Sequence, residues 1–221
     1  REILKGISLE LPAGSFIALA GESGCGKSTI AGILSAKNRG YTGQVMIGGI
    51  PLSTIQEKDL MKRIVLVRHN SYLFKGTVAE NLRMAKPDAS EDEMKAVLGK
   101  VNLLGFLQNQ DGLETKLAEK GGNLSGGQCQ RLALARALLS GADIFIFDEA
   151  TSNIDMESEE LIMQVIHEIA QTKTVLLISH RLANIAEADR IYFLKDGVIA
   201  ESGTQQELME KNGAYRKLYD S

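Results

Sequence analysis

The chain has 221 residues, 44% hydrophobic and 24% charged, which is enough for one sizeable α/β domain with its own core. Its 25 Lys and Arg stand against 28 Asp and Glu, and the net charge of −3 argues against a nucleic-acid partner, which draws a basic excess. Cys25 and Cys129 form no CxxC pair, so neither a disulfide framework nor a zinc site is indicated and a reducing compartment fits best. No run reaches the ~18 consecutive apolar residues of a membrane span, and no signal peptide is seen. The sequence opens at Arg1 and runs directly into strand-like residues, which reads as a piece of a longer polypeptide.

In chain order, residues 3–20 read as short strands. Ile7, Leu9 and Leu11 alternate, Pro12-Ala13-Gly14 turns, and Phe16–Ala20 is a buried apolar run. A helix is predicted from Lys27 to about Lys37. Gln44–Ile47 is a short strand before Gly48-Gly49, and Ile64–Val67 is a β-branched, buried strand. Residues 76–140 change character. Thr77-x-x-Glu80, Ser90-x-x-Glu93 and Ser125-x-x-Gln128 all fit the capping box, so a helical block of about 76–140 interrupts a core of about 1–75 and 141–221. Strands return at Ile144–Phe147, Val175–Ser179 and Ile191–Leu194, with a helix across about 156–170, and Thr204-x-x-Glu207 caps a helix near the end. Such alternation implies a mostly parallel sheet with helices on both faces.

Gly21-Glu22-Ser23-Gly24-Cys25-Gly26-Lys27-Ser28, continued by Thr29, matches G-x-x-x-x-G-K-[ST] between a predicted strand and a predicted helix. The glycines let backbone N–H groups turn inward around phosphates, and the helix N-terminus adds a favourable dipole. Lys27 is expected to neutralise the β- and γ-phosphates and the Ser28 hydroxyl to ligate Mg²⁺, so Mg-ATP is the expected ligand. Cys25 reads as a small loop residue rather than a nucleophile. It is still a target for thiol reagents, because backbone amides lower a thiol pKa. The apolar strand Ile144–Phe147 ends in Asp148 and Glu149. Asp148 is placed to hold Mg²⁺, and Glu149, at the strand's carboxyl end, to act as general base toward water.

Leu124-Ser125-Gly126-Gly127-Gln128 is a second glycine-rich helix start, with Ser125 as N-cap and N–H groups available to an anion. With the motifs around it, this stretch resembles the signature of the ATP-binding cassette family. The resemblance covers essentially the whole chain. Walker A lies at Gly21–Thr29, and the signature at Leu124–Gln128 is followed by Gln130-Arg131. Walker B is Ile144–Glu149, the D-loop is Ser152-Asn153-Ile154-Asp155, and the switch histidine is His180. The resemblance implies a P-loop NTPase (RecA-like) α/β fold: a mostly parallel sheet core, an inserted helical signature subdomain and a small N-terminal antiparallel β part. It further implies that two cassettes, identical or different, pack head to tail, so that Ser125, Gly127 and Gln128 serve the partner's ATP. His180 would then contact the γ-phosphate and hold Glu149 and the water in line. His167, in an amphipathic helix, is expected at the surface.

Tyr72-Leu73-Phe74-Lys75-Gly76-Thr77, continued by Glu80-Asn81-Leu82, resembles the exporter branch. So do Glu149-Ala150-Thr151-Ser152, Ser179-His180-Arg181-Leu182 and the ending from Asp196-Gly197 through Ser202-Gly203-Thr204 to Glu207-Leu208. That resemblance implies a transmembrane domain fused N-terminally, residues 70–83 facing its coupling helix, and a place at the cytoplasmic face of the cell membrane. Two departures stand out. The family's Q-loop glutamine, which touches Mg²⁺ and the attacking water, falls on His69. A neutral imidazole can still ligate, but its charge changes between about pH 5 and 8, so it is expected neutral in the loaded state. Hydrolysis is therefore expected to be slowed or re-tuned, as in a heterodimer with unequal sites. Second, no aromatic residue precedes Phe16 to stack on adenine, so weak ATP binding is expected of residues 1–221 alone. The competing readings are a soluble cassette acting on nucleic acid or ribosomes, an importer cassette, and a poorly hydrolysing partner cassette. The single uninterrupted cassette without a basic excess speaks against the first, and the exporter-like stretches against the second. The intact Glu149 and His180 disfavour the third, which His69 keeps open.

Overall fold

The apolar run after Gly14 forms strand β1 (Phe16–Gly21), buried along its whole length, in a computed structural model that describes residues 2–220. The chain continues through α1 (Lys27–Leu34), β2 (Met46–Ile47), β3 (Ile50–Pro51), α2 (Glu57–Arg63) and β4 (Ile64–Arg68). Then come β5 (Gly76–Thr77), α3 (Val78–Arg83), α4 (Glu91–Lys100), α5 (Leu104–Gln108), β6 (Lys116–Leu117) and α6 (Gly126–Leu139). The last part holds β7 (Ile144–Asp148), α7 (Met156–Ala170), β8 (Thr174–Ile178), β9 (Arg190–Lys195), β10 (Val198–Gly203), α8 (Gln205–Lys211) and α9 (Ala214–Tyr219). Two compact units result: Arg1–Leu66 with Asp143–Glu149 and Ala170–Ser221, and Val67–Ala142 with Ala150–Ile169.

The first unit is built on a sheet of order β10-β9-β1-β8-β7-β4. β1 runs parallel to β8 (Phe16↔Val175 to Leu19↔Ile178) and to β9 (Ile17↔Arg190 to Gly21↔Leu194), and β7 runs parallel to β8 up to Asp148↔Ile178. The carboxyl ends of β1, β8 and β7 therefore share one edge. Strands covered on both faces must be apolar throughout, which is why FIALA, IFIF and TVLLI read as runs rather than alternations. Leu19, Ile146, Leu176, Ile178 and Leu194 form one cluster with Ile30 of α1 and Leu60 of α2. Each such side chain contributes about 1.5–3 kcal/mol by leaving water.

Residues 7–11 keep the predicted alternation as burial but not as a ladder. Ile7, Leu9 and Leu11 are half-buried against the core while Ser8 and Glu10 are exposed, yet the segment belongs to no strand. It is tethered instead by Lys5 N–H to Gly197 O (2.8 Å) and Glu10 N–H to Tyr192 Oη (3.1 Å). The small antiparallel part is the β2–β3 hairpin, with Met46↔Pro51 and Ile47↔Ile50. α1 stops at Leu34, short of Lys37, because Ser35 Oγ bonds back to Ala31 O (2.8 Å) and Ala36 turns left-handed (φ 55°). α2, α9 and β10 lay outside the predicted elements. The two helices are too short to show a period, and β10 is an antiparallel edge strand with an irregularity between Ile199 and Glu201.

In the second unit β5 and β6 pair antiparallel (Gly76↔Leu117, Thr77↔Lys116), and α6 packs against α3 and α4. Its predicted capping boxes at Thr77/Glu80, Ser90/Glu93 and Ser125/Gln128 are all closed in both directions, as is Thr204/Glu207 in the first unit. α7 matches the predicted helix and buries Ile162, Met163, Val165, Ile166 and Ile169. Among the described residues no helix is long and apolar enough to cross a membrane.

Candidate nucleotide-binding site

β1 brings Gly21 to the carboxyl edge of the sheet, and residues 22–26 turn the chain into α1. The turn needs left-handed backbone at Gly24 (φ 80°) and at Gly26 (φ 114°), where a side chain would be strained. Gly26 is the N-cap of α1 and has no side chain with which to cap it. Among the described residues no carbonyl accepts the N–H groups of Gly24, Gly26, Lys27 or Ser28. Unmet N–H groups at a helix start, with the dipole behind them, are an anion site. Lys27 is only 4% exposed, and its ammonium donates to Gly21 O (2.8 Å) and Glu22 O (2.9 Å). It also lies 3.8 Å from Cys25 Sγ, which is buried.

Ser28 Oγ donates to Asp148 Oδ1 at 2.9 Å, so the helix start and the end of β7 present two oxygen donors side by side. A hydroxyl and a buried carboxylate suit Mg²⁺, which takes few protein oxygens and completes its shell with water and substrate phosphate. Among the described residues no three His, Cys, Asp or Glu side chains converge to cage a metal by themselves. Glu149 follows in left-handed backbone (φ 52°), uncommon outside glycine, with its N–H fixed to Ile178 O at 3.0 Å. Such a conformation costs on the order of 1–3 kcal/mol and persists where the surroundings impose it.

Glu149, the loop 22–29, Ile3 and Lys5, and the 195–197 turn line one cavity of about 770 Å³, within the size range of small-molecule sites. His180 stands exposed just beyond β8, on the same sheet edge. Its backbone is held by buried Ser179, whose Oγ accepts the Arg181 N–H (3.0 Å) and donates to Arg181 O (3.2 Å).

Leu124–Gln128, His69, Ser152 and Asp155 belong to the second unit. Ser125 Oγ accepts the Gln128 N–H (3.2 Å) and Gln128 Oε1 accepts the Ser125 N–H (2.9 Å). Leu124 is half-buried, Gly126 exposed and Gly127 buried. His69 is exposed in a turn closed by Ser71 N–H to Arg68 O (3.1 Å). The same carbonyl accepts Gln130 Nε2 at 2.8 Å, so α6 pins the turn that carries His69. The sequence shows Gln130 only as the residue following the signature; its burial, at 3% exposed, is set by the packing of α6 and has no local signal. Asp155 Oδ1 accepts the Ser158 N–H at 2.8 Å, and bonds from the Ser158 backbone and then its hydroxyl hold the carboxyl below its ordinary pKa. Ser152 Oγ is buried with no partner among the described residues. Tyr72 and Phe74 are exposed and pack edge to face at 4.7 Å, with Tyr72 Oη donating to Glu119 (3.1 Å). His167, expected at the surface, is half-buried with its Nε2 enclosed, because the buried face of α7 reaches it.

The family model described as ABC transporter matches residues 4–152. A Haemophilus influenzae protein described as an uncharacterized ABC transporter ATP-binding protein is 47% identical over 216 residues, 98% of this chain and 39% of that protein. An ATP-dependent lipid A-core flippase of Chromobacterium violaceum is 41% identical over 217 residues, covering 98% of this chain and 37% of the flippase. The structure of a bacterial Atm1-family ABC exporter with ATP bound superposes with a TM-score of 0.94 at 35% identity, over 100% of this chain and 39% of that one. The chain thus spans well under half the length of these relatives. It belongs to the ABC transporter family, as an ATP-binding domain.

Proposed function

We propose that this member of the family is the ATP-hydrolysing motor of a membrane exporter. In this reading it works at the cytoplasmic face of the cell membrane as one of two cassettes that close around ATP, identical or different, behind an N-terminally fused transmembrane domain. The observation that carries it is the Ser28–Asp148 pair beside buried Lys27, with Glu149 turned into the same cavity as the cradle. The flippase and exporter among the relatives support the direction of transport.

In this reading the N–H groups of Gly24, Gly26, Lys27 and Ser28 and the Lys27 ammonium hold the β- and γ-phosphates. Ser28 and Asp148 would hold Mg²⁺, which supplies charge neutralisation on those phosphates. Glu149 accepts the proton of the attacking water at its carboxylate, and His180 hydrogen-bonds the γ-phosphate. Leu124–Gln128 meets the ATP of the second cassette, with Ser152 and Asp155 at the same seam. The exposed Tyr72–Phe74 pair supports docking of the transmembrane domain on residues 70–83.

Glu149→Gln in the full-length protein is expected to lower ATP turnover at least ~100-fold and to accumulate an ATP-bound dimer. Normal hydrolysis by that variant would refute the general base. A second reading, a slowly hydrolysing partner in a heterodimer, is favoured by His69 at the water- and metal-contacting position. His69→Gln should then raise turnover several-fold and change its Mg²⁺ dependence; identical curves would remove that reading.

A further inference from the structure

The two glycines that open α6 sit in opposite surroundings. A Cβ added to Gly126 would meet Asn153 O at 3.7 Å and Ile154 Cγ2 at 3.8 Å, which is ordinary contact. A Cβ added to Gly127 would lie 2.1 Å from Ser158 Oγ, 2.6 Å from Ser158 Cβ and 3.0 Å from Asp155 Oδ2. The first glycine has room for a side chain and the second has none. The atoms that fill that space come from the junction of the D-loop and α7. Ser158 is 4% exposed, its N–H donates to Asp155 Oδ1, and its hydroxyl reaches the same carboxylate. Asp155 O in turn accepts the Glu159 N–H at 3.0 Å, and Arg131 of α6 adds an attractive charge toward Asp155. The start of α6 and residues 152–155 are therefore fitted to each other through one small hydroxyl side chain.

We propose that Ser158 is a positioning residue that seats Asp155 and the D-loop against the start of α6, and that Gly127 must lack a side chain because Ser158 occupies its place. The glycine is then required by packing inside its own chain. Two motifs assigned to the same ATP seam hold a common register, so a disturbance of one displaces the other. Nucleotide affinity at the cradle, built from residues of the other unit, is not the quantity this contact controls. The proposal rests on the motor reading only for its turnover arm.

The test is a double-mutant cycle of Gly127→Ala and Ser158→Gly in the full-length protein, with Gly126→Ala as the comparison. Gly127→Ala is expected to lower the melting midpoint by about 5 °C, as overpacking does. It should also lower kcat ~10-fold or more with KM for Mg-ATP little changed. Adding Ser158→Gly should recover most of both losses, while Gly126→Ala leaves the melting midpoint where it was. Additive losses in the double variant, or a Gly127→Ala protein that melts and turns over normally, would overturn the proposal. Should Gly127→Ala not accumulate as folded protein, recovery of folded protein in the double variant supports the proposal, and failure of both contradicts it. A native protein without ATPase activity would sink the motor reading, and recovery of the melting midpoint would still support the contact.

Discussion

The chain contains two glycine-rich helix starts of similar composition, and they are finished in different ways. At α1 the N-cap is Gly26, no side chain among the described residues caps the helix, and the Lys27 and Ser28 N–H groups meet no carbonyl there, beside a buried ammonium. At α6 the N-cap is Ser125, and a reciprocal box with Gln128 closes the turn from within. An open start is an anion site in its own right. A capped start has met part of its own need, so any ligand there must be brought by a surface that supplies the rest. Glycine content alone therefore does not tell a cradle from a packed helix start; the cap does.

That contrast can be broken most sharply by modifying one thiol in each region. Alkylation of Cys25, beside Lys27, should abolish ATP binding, whereas alkylation of Cys129 on α6 should leave it intact; nucleotide titration of each singly modified protein decides. Cys25 is buried, so its reaction should also be slow. Next comes Lys27→Ala, which removes the charge from the open start. A loss of about 3 kcal/mol, on the order of 100-fold in ATP affinity, is expected by titration. The smallest effect belongs to the closed start. Ser125→Ala should cost about 1 kcal/mol of stability in a denaturant melt and leave the ATP affinity of the single chain unchanged. An affinity loss with Ser125→Ala equal to that with Lys27→Ala would erase the distinction.

Much of the fold was legible because it is written locally. All four capping boxes depend on a residue and its neighbour three positions on, and all four close. The buried strands β7, β8 and β9 were visible as apolar runs, and α7 as a helical period over its whole span. Strand pairing was less legible. Ile7, Leu9 and Leu11 alternate as a strand does, but the hydrogen bonds of that stretch go to the Gly197 carbonyl in a turn and to the Tyr192 side-chain hydroxyl, not to the backbone of a neighbouring strand. His167 lies on a helix face whose width its own sequence did not reveal.

By itself the sequence determined the parallel core, the helix starts and the candidate residues from Gly21 to Thr29, together with Asp148, Glu149 and His180. All but His180, which rests on the family resemblance, follow from residue types within a few positions of one another. Tertiary structure decided the rest. It joined Ser28 to Asp148, turned Glu149 into left-handed backbone against β8, hung the His69 turn on Gln130, and filled the space beside Gly127 with Ser158. These are meetings of groups distant along the chain, and their distances are set by how strands and helices pack, which no local pattern of residues encodes.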